Sequence, residues 1–289
     1  MRISVTGTTG RVGAALAKHL AATHEVIPLP RSRCDLADGK SLAAALAELE
    51  CDVLIHPAGI TSLEACEDDP ALAMRVNAEA PAEIADWAQS RGVRVFHFST
   101  DYVFNSDTPH VFAEEETPEP VSVYGRSKLA GEWEVLARPG NCVIRVSWVY
   151  GAEKASFVDK VFDDALAGRP LAAIADKFSL PVLTTDLAAW TEFLIERRIT
   201  GIIHACNSGK PVSWHDMAVV VVREMTAMGL LSTIPPVRGQ ELSEMTTFKA
   251  ARPRHSALAT QRLAEILGHP PRPWQEALAE YVRHRGSLR

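Results

Sequence analysis

Two rhythms of apolar residues alternate along the first half of the chain. Short solid runs, at Arg2–Thr6, His24–Leu29, Asp52–His56, Val93–Phe98 and Asn141–Ser147, have the length and make-up of buried strands. Between them lie longer segments in which apolar positions return every three or four residues: Ala14–Leu20, Ser41–Leu49, Pro70–Ser90 and Ser122–Arg138. That spacing predicts helices with one face turned inward. Strand and helix in strict turn predict an α/β architecture, a doubly wound parallel sheet covered by helices on both faces. Past Gly151 the rhythm loosens. Helices are expected over Ser156–Ala167, Thr185–Glu196, Ser213–Met228, Leu258–Leu267 and Trp274–His284. Short strands are expected over Leu171–Ala175 and Ile202–Cys206, and irregular chain over Val237–Arg254. Ser213 and Asp216 stand at the spacing of a capping box. With no repeat and no low-complexity linker, the second lobe is expected to be interleaved with the first. Residues 1–151 with 183–210 are expected to form a dinucleotide-binding unit, and 152–182 with 211–289 a smaller α/β substrate-binding lobe.

Composition narrows the class. A chain of 289 residues with 47% hydrophobic content has room for a full α/β core and a second lobe. Its charge of −6 is spread without a basic block, and no run of eighteen apolar residues occurs, which argues against nucleic-acid and membrane partners. Five scattered cysteines without a CxxC pair fit free thiols in a reducing compartment, and no metal set is expected. The chain opens directly on a strand, so the expectation is a cytoplasmic protein without a signal peptide.

The first strand runs straight into Gly7-Thr8-Thr9-Gly10-Arg11-Val12-Gly13 and then a helix. Strand, glycine turn and helix N-terminus in that order suit a dinucleotide pyrophosphate, because the glycines admit close backbone approach and the helix offers free N–H groups. Gly7, Thr9, Gly10, Arg11, Val12 and Gly13 are therefore the expected cradle of a Rossmann-type fold. An acidic residue closing the second strand would hold the ribose of NADH. Here Pro30-Arg31-Ser32-Arg33 follows instead, and Arg11 lies in the turn. Guanidinium groups suit a 2′-phosphate, so NADPH is favoured, with NADH the alternative. Asp35 and Leu36 fall where an adenine ring would lie. Ala58 and Gly59, at the exit of the third strand, let backbone pass beside a cofactor. Asn77, within the Pro70–Ser90 helix, either faces solvent or bridges inward to backbone near the site.

The fourth strand delivers Ser99 and Thr100 to its carboxyl end, where open α/β sheets bind ligands. Tyr124 and Lys128 stand four apart on a helix, one turn from each other on one face. A phenol beside an ammonium ionises more easily and can act as an acid near neutral pH. Thr100, Tyr124 and Lys128 thus read as a proton-delivery trio facing a carbonyl. The acidic, proline-marked stretch Asn105–Val121 reads as a surface excursion beside that site. Trp148, after the fifth strand, is placed to wall a substrate pocket.

These motifs together carry a resemblance. Gly7–Gly13, the run Ser99-Thr100-Asp101-Tyr102-Val103-Phe104, Tyr124-Gly125-Arg126-Ser127-Lys128, Trp148-Val149-Tyr150-Gly151, Pro181–Ala188, Arg252–Leu258 and Pro270–Leu278 are similar to the dTDP-4-dehydrorhamnose reductase family of extended short-chain dehydrogenases/reductases. The resemblance runs along nearly the whole chain. It implies NAD(P)H-dependent reduction of the C4 carbonyl of a 4-keto-6-deoxy sugar nucleotide. It further implies Thr100, Tyr124 and Lys128 as catalytic residues, Lys128 on the nicotinamide ribose, and Leu63, Thr100, Tyr102 and Trp148 along the sugar pocket. Two stretches depart from the family's pattern: His56-Pro57-Ala58-Gly59 at the third strand's exit, and Asp176-Lys177-Phe178-Ser179-Leu180-Pro181-Val182. The second leaves open which sugar nucleotide is used. An epimerase, a reductase of another 4-keto sugar, a non-catalytic NADP-binding regulatory subunit and a homodimer also remain open.

Overall fold

The computed structural model describes residues 1–288. Its centre is a six-stranded sheet with every neighbouring pair parallel. In chain order the strands are Arg2–Thr6, Glu25–Leu29, Val53–His56, Arg94–Thr100, Cys142–Val146 and Gly201–His204. Ile3, Val5, Leu54, Ile55, Val95, Phe96, Val143 and Ile144 have no contact with solvent, or almost none. Strands buried on both faces are what a parallel sheet requires. Leu16, Leu20, Leu187 and Leu194, from helices Arg11–Leu20 and Thr184–Glu196, cover one face. Leu42, Ile84 and Val135, from helices Gly39–Ala47, Ala80–Arg91 and Val123–Leu136, cover the other. The doubly wound sheet is as expected.

The spatial order matters for function. The first strand lies between the second and the third, so the connection leaving the first runs to one side of the sheet and that leaving the third runs to the other. A crevice opens at the carboxyl ends where that reversal occurs, and such crevices bind ligands.

A further core forms beside the sheet, in which Phe162, Met217, Val221, Val222, Leu278 and Val282 meet. Its helices Phe157–Leu166 and Trp214–Ala227 both begin with capping boxes, Ser156 with Asp159 and Ser213 with Asp216. Leu263, on the helix Gln261–Leu267, packs instead with the central sheet, so the C-terminal segment visits both cores.

Three stretches differ from their sequence expectations. Pro70–Ser90 is not one helix: Pro70–Met74 is followed by a π-turn at Arg75–Glu79 and then by Ala80–Arg91. Pro81 has no N–H to give the carbonyl of Asn77 four residues earlier, and a local widening absorbs that loss. Asn105–Val121 is not merely surface chain, because Val111–Phe112 pairs in parallel with Ala257–Leu258 and buried Glu114 accepts the His204 N–H at 3.0 Å. Val237–Gln240, expected to be irregular, pairs in parallel with Leu171–Ile174. No helix among the described residues is long and apolar enough to cross a membrane.

Candidate active site

The glycine turn is built as a cradle. Gly7 has φ +60°, and a Cβ there would stand 2.9 Å from the Cβ of Ala58. A Cβ on Gly13 would stand 2.3 Å from the Gly7 carbonyl oxygen. Only glycine serves at either place. Gly10 opens the helix Arg11–Leu20 with no side-chain cap and no acidic residue in the first turn. Its N–H groups and the positive end of its dipole are left for an anion. These features fit a dinucleotide pyrophosphate.

The cradle opens into a cleft of about 680 Å³, a size suited to small-molecule ligands. Gly7, Thr9, Gly10, Arg11, Val12, Gly13, Arg31, Asp35, Leu36, Ala58 and Gly59 line one end. Leu63, Ser99, Thr100, Tyr102, Tyr124, Lys128 and Trp148 are among those that line the rest. Residues distant in sequence thus converge on one surface. Lys154 and Cys34 also reach it, and no motif had marked them.

Arg11 has a second task that its sequence position did not show. Its guanidinium donates to the carbonyls of Val149 at 3.0 Å, Lys154 at 3.1 Å and Ala155 at 2.7 Å. Three of its five N–H donors are thus engaged by backbone, and Arg11 fastens the 149–155 segment while also lining the cleft. Arg31 is free to move: its side chain is 79% exposed and leans on Asp35 at 3.3 Å.

Ser122 caps the helix Val123–Leu136 by accepting the Gly125 N–H, which sets Tyr124 and Lys128 on its inner face. Burial holds the Tyr124 phenol well above its ordinary pKa, against a hydrogen bond with Thr100 that lowers it. The phenol therefore keeps its proton. Thr100 Oγ1 accepts the Tyr102 N–H and donates to Asp101 Oδ1, both at 3.2 Å. Asp101 Oδ2 in turn accepts from Ser179 at 3.0 Å and from Ser256 at 2.5 Å. Thr100 is thus oriented by a buried network that reaches both the altered 176–182 stretch and the 252–258 motif.

Lys128 does not ease the ionisation of Tyr124 here, contrary to expectation. Its ammonium turns away and donates to His97 Nε2 at 3.2 Å. Burial, then the Lys128 charge, drives the His97 pKa far down, so the ring is neutral and accepts. His97 stacks on His56 at 5.2 Å, and His56 Nδ1 pairs with Thr6 Oγ1 at 2.8 Å. Burial also lowers Lys128 itself, to about 8, against the opposing charge of Glu132. Asn77 takes the inward alternative. It donates to the Ile60 carbonyl at 3.0 Å and Ser127 Oγ at 3.1 Å, and accepts the Ile60 N–H at 2.9 Å. That ties the third strand's exit to the helix carrying Tyr124 and Lys128.

The end of the cleft away from the glycine turn has an aromatic wall. Tyr102 and Tyr124 meet edge to face at 5.7 Å, and Trp148 leans on Trp214 at 5.4 Å. Trp148 has φ +43°, a left-handed conformation rare for a bulky residue. Behind the wall lies Lys177, fully buried, its Nζ 4.8 Å from the Tyr102 ring centre and 5.6 Å from that of Trp148. Neither Lys177, Asp101 nor His97 was marked by sequence reasoning as a site residue. Asp101 stands inside a motif already quoted, and that was its one visible signal.

A parallel sheet with a glycine cradle at its reversal point and a polar trio across the cleft defines the Rossmann-type dinucleotide-binding class. Within it, the chain matches the model of the RmlD substrate binding domain over residues 1–286 and belongs to that family. It is 35% identical to a dTDP-4-dehydrorhamnose reductase of Mycolicibacterium smegmatis, covering 97% of this chain and 85% of that one. It is 32% identical to the spore coat polysaccharide biosynthesis protein SpsK of Bacillus subtilis, covering 99% and 98%. Among solved structures, a dTDP-4-dehydrorhamnose reductase of Bacillus anthracis in complex with NADP superposes with a TM-score of 0.88. It is 26% identical and covers 98% of this chain and 99% of that one.

Proposed function

We propose that this protein reduces the C4 carbonyl of a 4-keto-6-deoxy sugar nucleotide with NADPH, and that its substrate is dTDP-4-dehydrorhamnose, giving dTDP-L-rhamnose. The observation that carries this reading is the convergence of Thr100, Tyr124 and Lys128 on one cleft with the Gly7–Gly13 cradle. The kinship with reductases named for that substrate, one of them solved with NADP, supports the choice of sugar and cofactor. The division into residues 1–151 with 183–210 and 152–182 with 211–289 belongs to the same reading, the first holding cofactor and the second closing over sugar.

In this reading the Gly7–Gly13 turn holds the pyrophosphate, Asp35 and Leu36 flank the adenine, and Arg31 meets the 2′-phosphate. Ala58, Gly59 and Ser99 pass beside the nicotinamide half, and Lys128 leaves His97 to hold its ribose. Bound there, the dinucleotide supplies hydride to the substrate's C4. Leu63, Tyr102 and Trp148 wall the sugar. Tyr124 Oη gives its proton to the C4 oxygen as negative charge develops on it. Burial that raises the phenol's pKa keeps that proton in place until then. The Thr100 hydroxyl turns from Asp101 Oδ1 to donate to the same oxygen. Proton transfer positioned in this way contributes about 10²–10⁴-fold to the rate. Carbonyl, hydride and proton balance to an alcohol.

The test is loss of NADPH absorbance with purified protein and dTDP-4-dehydrorhamnose, with UDP- and GDP-linked 4-keto sugars alongside. Turnover with the dTDP-sugar is expected. Turnover only with another nucleotide would reassign the substrate, and none with any 4-keto sugar would overturn the reaction.

A further inference from the structure

We propose that Lys177 is a positioning residue for the sugar end of the cleft: its ammonium clamps the faces of Tyr102 and Trp148, and this clamp sets the affinity for the sugar nucleotide. The proposal rests on the reading of the cleft given above. Lys177 is wholly buried, and its Nζ has no hydrogen-bond partner in the protein. Three N–H donors removed from water without an acceptor are costly. What faces the ammonium instead is two aromatic rings, at 4.8 and 5.6 Å, within the range of cation–π attraction. Both rings line the cleft, whereas Lys177 lies behind them. It therefore acts on the ligand through the wall.

The charges around it come from three directions. Asp101, next to Tyr102, attracts the ammonium, while Arg252 and His255 from the C-terminal segment stand on the same side as Lys177 in sign or potential charge. Arg252 is already paired with Glu64 at 2.8 Å, and both Asp101 oxygens accept from hydroxyls. Asp101 thus balances Lys177 across space without holding it. Trp148 gives the clamp its purpose: a bulky residue at positive φ persists only where its surroundings over-determine it, and Lys177 is one of those surroundings.

The measurement is KM for dTDP-4-dehydrorhamnose, kcat, and Kd for NADPH in wild type, Lys177→Met and Lys177→Arg, from pH 6 to 9.5. Losing a desolvated cation–π clamp should raise the sugar-nucleotide KM about tenfold in Lys177→Met. NADPH affinity should not change, and kcat should stay within about twofold, since no group named in the proton transfer is altered. Burial lowers Lys177 to about 8, so its charge is present below that pH and lost above it. The wild-type KM should then climb above pH 8, Lys177→Arg should stay flat, and Lys177→Met should be high throughout. An alkaline climb that persists in Lys177→Arg belongs to Lys128 and overturns the proposal, as does a wild-type KM in Lys177→Met. If Lys177→Met does not fold, a wild-type KM that is flat from pH 7 to 9 still overturns it. Affinity for dTDP-rhamnose, read from tryptophan fluorescence, repeats the test without turnover. An inactive wild type would therefore count against the proposed reaction, while the clamp is judged on Kd.

Discussion

Gly131→Ala is a sharp test of how the helix carrying Tyr124 and Lys128 is seated. Gly131 lies one turn beyond Lys128, where the helix Val123–Leu136 presses on the π-turn. A Cβ there would stand 2.1 Å from the Asn77 carbonyl oxygen and 3.5 Å from His97 Nε2. Side-chain carbons are essentially never closer than 3.0 Å to such an atom, so helix and turn must part by about 0.9 Å. Helix propensity alone favours alanine by about 1 kcal/mol. The clash works the other way, because both partners are backbone in a close-packed interior and overpacking there costs about 1–3 kcal/mol. The larger effect should be on rate. The displaced helix carries Tyr124 and Lys128, and misplacing reacting groups by about 1 Å costs on the order of 100-fold. The expected outcome is a lowered urea midpoint together with a kcat about two orders of magnitude down. A variant with wild-type midpoint and kcat would refute the reasoning, and it would show that the two elements slide apart freely.

Tyr124→Phe should lose about 10²–10⁴-fold in kcat while NADPH titration gives an unchanged Kd; near wild-type turnover would remove Tyr124 as the acid. Lys128, lowered by burial to about 8, is charged below that pH, so kcat in the Lys177→Arg background should fall as pH rises through 8; a flat kcat to pH 9.5 would detach its charge from catalysis. Arg31→Ala should reduce kcat/KM for NADPH about tenfold and spare NADH, since one charge-assisted hydrogen bond contributes about 1.5–3 kcal/mol and exposure discounts it. Arg11→Ala should instead impair both cofactors alike; a selective loss of NADPH in that variant would give Arg11 the 2′-phosphate role.

The parts of this fold that were legible in the sequence are those in which local chemistry and global structure agree. The glycine turn was visible because Gly7, Gly10 and Gly13 sit between a strand run and a good helix former. Tyr124 and Lys128 were visible because a four-residue spacing on a helix fixes which face they share. What stayed hidden depends on contacts between distant residues. Nothing near Arg11 announces that its guanidinium ends on carbonyls some 140 residues later in the chain. Pro81 hinted at an interruption, but a proline in the first turn of a new helix and one that forces a π-turn look alike in sequence. Val111–Phe112 and Ala257–Leu258 are too short to show a strand period, and each is a strand only because the other lies beside it. Lys177 stood unmarked within a divergent stretch, because buried lysines are rare and nothing in the local sequence announces one.

The grip of Arg11 on Val149, Lys154 and Ala155 limits how this protein could change cofactor over evolution. Trp148 precedes the first of those carbonyls. Any replacement at position 11 therefore disturbs the segment beside Trp148 in the same stroke as the glycine turn, and the two cannot be varied separately there. Arg31 and Asp35 have no such attachment to the second lobe among the described residues. A drift from NADPH toward NADH has its open route through positions 31–35, with position 11 held in place by its bonds to the 149–155 backbone.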